Sequence, residues 1–400
     1  MRKHHQLSRL GSAVGVVALL AASCSSSDSD TTSSTDAPPA SDTGVADSVP
    51  VESEPTEPPA DSAPAETDSL DSAPSDDDVS EADGRITAVN PYGKDEREFL
   101  QSTDEIFRPV NAYMGPDGAL YLVDMYHGII QHRIFLTSYL RKQAESRGLE
   151  KVVDHGRIYR IVHKGRPLDQ GPNLAKADTA TLVATLSHKN GWYRDNAQRL
   201  LVEKSPVTAV AALKKLAANG GSHLGRLHAL WALNGMGFID IETLQAVLKK
   251  DRHPKVIAAA IRLMEPILKT WEQEDALKLI LAKAGSANPE IKVQVALTLS
   301  GVNLPAATKA LIQLARDNGG VQEIRDAIVT GLPGREGDFI AALVADKGMA
   351  RQNGDRTKVL SELAKCVIIQ GRRDPVNSLL ALIGRSSTAA WQKTALLVGM

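Results

Sequence analysis

Asp251–Leu263 reads DRHPKVIAAAIRL, and this stretch decides the fold. Pro254 has a fixed φ and no amide hydrogen, which suits the first turn of a helix and no deeper position. Behind it, Val256, Ile257, Ala260, Ile261 and Leu263 follow the i, i+3, i+4 spacing of one helical face. Similar runs stand at Asn196–Leu201 (NAQRLL), His228–Leu233 (HALWAL), Val295–Leu299 (VALTL) and Thr394–Val398 (TALLV). Aligned on one small residue each, the runs pick out Ala197, Ala229, Ala260, Ala296, Ala327, Ala364 and Ala395, spaced by 32, 31, 36, 31, 37 and 31 residues. A period of that size predicts stacked helical hairpins, each burying its apolar side against the next. Gly, Pro and Asn mark the breaks, at Asn219-Gly220-Gly221, Pro254, Asn288-Pro289, Asn318-Gly319-Gly320 and Asp374-Pro375.

The turn Asp251-x-x-Pro254-x-Val256 is similar to that of a HEAT repeat, while the spaced Trp, Leu-Gly, Tyr and Pro of a tetratricopeptide repeat are absent. The expected fold is therefore mainly α, with a HEAT-like α-solenoid over 169–400. An aromatic content of 4% agrees with an Ala/Leu-rich helical chain better than with an all-β one.

Charge divides the rest. The 400 residues carry a net charge of −2, but 25–84 hold 17 acidic residues and no Lys or Arg. Beyond residue 84 the balance is +12. The stretch 24–84 is almost entirely Ser, Thr, Asp, Glu, Pro and Ala, too poor in apolar surface to offset ordering entropy, so it reads as a disordered tether. Beyond a spacer, it reads as an acidic tail for a basic partner or for the chain's own basic body, and that body in turn suits anionic envelope polymers or the tether. Nucleic acid is not an expected partner, because aromatic and basic residues are rarely interleaved.

Residues 1–23 read as an export signal. Arg2, Lys3 and Arg9 precede the apolar run Ala13–Ala22, which is too short to span a bilayer as a mature helix. Leu20-Ala21-Ala22-Ser23-Cys24 resembles a bacterial lipobox. That resemblance implies cleavage before Cys24, lipidation of its thiol and a lipid-anchored, extracytoplasmic place in the cell envelope. The expected partners are then the membrane, through the anchor, and a protein or glycan on the helical face.

Residues 85–168 have another grammar. Gly84–Val89 alternates like a strand, Gly115-Pro116-Asp117-Gly118 sets a tight turn, and Ala119–Tyr126, whose strand ends near Asp124, and His155–Ile161 are strand-like, with a helical insert at Thr137–Arg147. This is the pattern of a β-propeller blade, and the length allows one to two blades. The runs Glu98–Asn111, Gly115–Tyr126, Gly128–His132 and Gly156–Arg160 resemble the last blades of the large exported membrane-bound dehydrogenase proteins of planctomycete- and verrucomicrobium-type bacteria. In that family a propeller similar to glucose/sorbosone dehydrogenases precedes HEAT-like repeats, often with a cytochrome c domain. The resemblance implies a quinoprotein-type sugar or alcohol dehydrogenase using pyrroloquinoline quinone with Ca²⁺. No C-x-x-C-H run is present, so no haem c is expected.

Site candidates are few. Asp124 and His127, with His132 nearby, are residue types suited to a base and its orienting partner. His127 and His132 have opposite parity and would face opposite sides of a continuous strand, so no metal site is assigned. Arg108 and Arg157 are candidates for lining a cofactor floor. Trp192, Tyr193 and Arg194, beside Asp195, form a candidate binding patch at the junction of the two regions; the same residues also suit a plug for that junction. Cys366, in the apolar run Leu363–Ile369, is expected to be a buried thiol. Two functions stay open: an anchored scaffold that presents a helical-repeat face and carries a dehydrogenase-like remnant, or the dehydrogenase itself.

Overall fold

A computed structural model describes residues 98–400. The signal segment, Cys24, the acidic stretch and the strand expected at Gly84–Val89 lie outside the described residues. Within them the chain opens with an antiparallel meander of β1 (Pro109–Met114), β2 (Leu120–Asp124) and β3 (Arg157–Ile161), in that order. Met114 pairs with Leu120 around the Gly115–Gly118 turn, and Leu120 pairs with Ile161. Gly118 has φ of 77°, as that turn requires. Helix α1 (Ser138–Ser146), capped by the Thr137 hydroxyl, sits between β2 and β3.

Among the described residues the β part is one three-stranded sheet, and the further strand expected at Gly84–Val89 lies outside them. β2 ends at Asp124, where the sequence reading put the end of that strand. The Asp124 carboxylate accepts the amides of Arg108 (2.7 Å) and Tyr126 (2.9 Å), and Tyr126 turns away with φ of 45°. His127 and His132 therefore lie beyond the strand.

Seven helix pairs follow among the described residues. They are α2 (Thr179–Thr185) with α3 (Gly191–Lys204), α4 (Val210–Asn219) with α5 (His223–Gly235), α6 (Ile241–Lys250) with α7 (Pro254–Leu263), and α8 (Gln273–Leu281) with α9 (Pro289–Ser300). Then come α10 (Pro305–Asn318) with α11 (Gln322–Thr330), α12 (Glu336–Ala345) with α13 (Gly354–Gln370), and α14 (Arg373–Gly384) with α15 (Ala390–Gly399). Each second helix packs on the next second helix, from α3 through α15. The alanines aligned in the sequence all sit on second helices, and all are buried. A bare methyl at that point lets successive helices approach closely, and one continuous apolar core runs from Leu174 to Leu396.

Local signals start and stop these helices as the chemistry demands. Asn190, Ser222, Asp240, Asn288 and Asn353 cap with their side chains, and Pro254, Pro289 and Pro305 occupy first turns. The break expected at Asp374-Pro375 falls earlier, at Gly371 with φ of 64°. Pro375 then sits in the first turn of α14, where no amide is needed.

A recurring arginine stitches the pairs. Arg226 Nη1 donates to the Gly220 carbonyl at 2.7 Å, and its Nε and Nη2 donate to Asp251 of the next pair at 2.6 and 3.0 Å. Arg325 repeats this on the Gly319 carbonyl (2.7 Å) and Glu362 (2.6 Å). Each guanidinium joins the carbonyl six residues before it to an acid of the following pair.

Candidate binding face

The junction of sheet and helices is built around Asn190. Its side-chain oxygen accepts the Trp192 amide at 2.9 Å and starts α3. Its amide nitrogen donates to the carbonyls of Gly115 (2.9 Å) and Pro116 (3.3 Å) in the β1–β2 turn, and to Asp169 (3.2 Å). Lys189 also pairs with Asp169 and holds that carboxyl below its usual range. Tyr193 is buried, with its ring 4.5 Å from that of His188 and 5.1 Å from that of Trp192. Trp192 is half-buried on the core. Arg194 donates to the carbonyls of His188 (2.7 Å) and Lys189 (2.8 Å), closing the turn before α3. Sequence adjacency does bring Trp192, Tyr193 and Arg194 together, at the seam.

The candidates at the sheet do not form one cluster. Asp124 is buried with one oxygen bound to backbone amides, and its Oδ2 has no protein partner. His127 Nδ1 contacts the Ile129 carbonyl, and His132 packs edge-on against Phe135. Arg108 donates to the Phe107 carbonyl at 3.0 Å. Arg157 lies 3.3 Å from the centre of the Tyr126 ring and donates to the Tyr159 hydroxyl at 3.2 Å.

A face that no short motif announced runs along the second helices. The position two residues after each aligned alanine carries Arg199, Trp231, Arg262 and Thr298 in four successive pairs, then Val329, Cys366 and Leu397. Between α5 and α7 this row opens into a cleft of about 400 Å³ bounded by Trp231, Asn234, Arg262, Glu265, Pro266 and Lys269. The Arg262 guanidinium sits 6.0 Å from the centre of the Trp231 ring. Glu265 accepts from Thr298 at 2.9 Å and Gln294 at 3.4 Å, both on α9. Beyond the cleft the row turns apolar, ending at the exposed Leu397, and Ile369 and Val398 are exposed on the same last two second helices. Cys366 is half-buried rather than buried, because its position faces along this row and not into the core; burial and the nearby Glu336 and Glu362 raise its pKa.

At the near end of the face, His228 is held between helices. Its Nδ1 lies 2.7 Å from Gln198 Oε1, and Arg194 Nε approaches Nε2 at 3.4 Å. Burial, with the Arg194 charge behind it, lowers its pKa to about 4, so the ring is neutral at pH 7. Neighbouring Asp195 is pushed up by burial, against the pull of Arg194.

Residues 241–332 match the family model of HEAT repeats. The match spans α6 to α11 and includes Arg262 and Glu265; Trp231 belongs to the preceding pair, of the same construction. Residues 76–165 match a domain of unknown function, DUF7133, which covers the whole three-stranded sheet. No curated protein matches the chain. Among the described residues no helix is long and apolar enough to cross a membrane, and no group of three or more His, Cys, Asp or Glu could hold a metal ion. A HEAT-repeat face acts through shape and complementary side chains. Here it offers a flat ring, a cation, a carboxylate and an amide within one cleft. The pairing of Trp231 with Arg262 was readable only as a 31-residue spacing, the same as that from Ala229 to Ala260.

Proposed function

We propose that this protein is an envelope-anchored HEAT-repeat scaffold that holds a protein partner along its second-helix face, centred on Trp231. The observation that carries this reading is the cleft between α5 and α7, where Trp231, Arg262, Asn234 and Glu265 converge. An aromatic floor beside a guanidinium is the residue chemistry of an interface anchor. The apolar continuation past Thr298 favours a protein over a glycan. Anchoring at Cys24 and an extracytoplasmic location rest on the lipobox-like run, and Cys24→Ser should abolish incorporation of labelled palmitate. The dehydrogenase reading rests on resemblance alone, and the contacts of Asp124 and His127 with backbone groups give it no added support.

The test is a peptide-display selection against the full chain, followed by affinity measurements on variants. Binders of this face should lose at least tenfold with Trp231→Ala, a hot-spot-sized loss of about 1.4 kcal/mol or more. They should be indifferent to Trp271→Ala, a side chain 89% exposed outside the cleft. Binders that ignore both Trp231→Ala and Arg262→Ala would sink the proposal.

A further inference from the structure

The Trp231 cleft is chemically lopsided. Arg262 and Lys269 line it and are exposed, and among the described residues neither has a carboxylate partner. The carboxylate of the cleft, Glu265, is drawn the other way, because its Oε1 accepts from Thr298 and Gln294 on α9. Arg262 lies 6.0 Å from the Trp231 ring centre. That is the outer limit of a cation–π attraction, about 6 Å, and it leaves the guanidinium fork open to an acceptor. On the other flank of Trp231, Arg199 is already matched by Glu203, at 2.9 and 3.1 Å. Along the row from Arg199 to Thr298, the unmatched positive charge therefore lies on the α7 side of Trp231.

An occupant that satisfies both groups brings an apolar side chain to Trp231 and an anion to Arg262, whose centres stand 6.0 Å apart. An extended peptide does this with residues i and i+2, which point to the same side and are roughly 6.6–6.8 Å apart at ~3.3–3.4 Å per residue. Neighbouring residues point to opposite sides and cannot serve both groups. A guanidinium takes a carboxylate through two parallel N–H donors, and an ammonium such as that of Lys269 adds a second, less directional charge.

We propose, resting on the reading of this face as protein-binding, that the partner segment carries an apolar or aromatic residue and, two positions away, an Asp or Glu. The apolar side chain lies on Trp231, and the carboxylate is received by Arg262 and Lys269. The cleft then selects its partner by the spacing of two side chains on one side of an extended strand.

Peptides selected on the full chain from a linear random library supply the test. Binders that depend on Trp231 should be enriched in the two-residue spacing, in either chain direction. In one such binder, synthesised with a fluorophore, replacing the acid by its amide should weaken binding roughly tenfold by fluorescence anisotropy. Moving the acid by one position should weaken it as much. On the chain bearing Arg262→Gln and Lys269→Gln, with helicity checked by circular dichroism, acid and amide should bind within about twofold of each other. Lys249→Gln, which removes an exposed cation outside the cleft, should keep the full difference. Binders that lose affinity with Trp231→Ala yet carry no acid, or whose change from acid to amide is without effect, would overturn this inference and leave the face as a protein-binding surface. Binders indifferent to both Trp231→Ala and Arg262→Ala would remove the face itself and this inference with it. Trp231-dependent binding of a uronic-acid oligosaccharide, with no peptide binder, would overturn it in favour of a glycan.

Discussion

Ile158 on β3 is 72% exposed, whereas Ile261 on α7 is fully buried. The two residues typify their regions. Of the 24 large apolar side chains exposed among the described residues, 16 lie before residue 169, although that region is much the shorter. The helical array buries its apolar residues in one core, to which the sheet contributes none. All six residues of β1 are exposed, and among the described residues no further strand pairs with β1 or β3. The difference teaches how the two architectures solve burial. A helix pair needs only the next pair, and the chain supplies it. A three-stranded sheet needs a cover for its faces and edges, and the described residues provide a partial one: the Asn190 seam, the Phe107 ring against Tyr159 and the Asp169 amide on the Asp117 carbonyl.

The comparison can be broken most directly by deleting apolar side chains on both sides. Leu230→Ala, in the middle of the array, should cost about 3–5 kcal/mol, read from the urea midpoint, while Ile158→Ala should stay within about 0.5 kcal/mol. Equal losses would mean the sheet is covered in solution.

A pH series tests the array alone. His228 has a folded pKa of about 4, below its ordinary 6.5, so the unfolded chain takes up the proton first as pH falls. Stability from the neutral ring is complete above about pH 6.5 and is lost on descending to about 4, a change of about 2–3 kcal/mol. His228→Gln should flatten the unfolding midpoint across that window; an unchanged slope would show that the ring is not held neutral.

The seam comes next. Asn190→Ala removes the cap of α3 and the seam bond to the Gly115 carbonyl, which keeps the Gly118 amide, and should cost about 1–3 kcal/mol. Hydrogen exchange should quicken in β1 and β2 while α9 to α15 stay protected. Uniform quickening would show that sheet and array unfold as one unit.

Much of the array was legible because a repeat writes the same requirement many times. Ala260 alone is uninformative, but seven alanines at one spacing fix the second helices, and Pro254 fixes where one begins. Thr137 and Arg147 likewise bracket α1 as the sequence suggested. The sheet was legible as strands and a turn, with β2 ending near Asp124; that Asp124 itself turns the chain, by reaching amides at Arg108 and Tyr126, was not. Trp192, Tyr193 and Arg194 were visible as an odd cluster. That Asn190 ties them to a turn 75 residues away was not.

By itself the sequence determined periodicity, caps and breaks, because these depend on neighbours within a helical turn or one repeat, and it exposed the charge contrast between residues 25–84 and the remainder. Only the tertiary structure decided that Trp231 and Arg262 share a cleft, that His228 is neutral, and that Arg262 and Lys269 stand without a carboxylate partner beside a Glu265 held by Thr298. The physical reason is that burial and charge pairing are properties of surroundings, and stacking assembles those surroundings from residues some thirty positions apart.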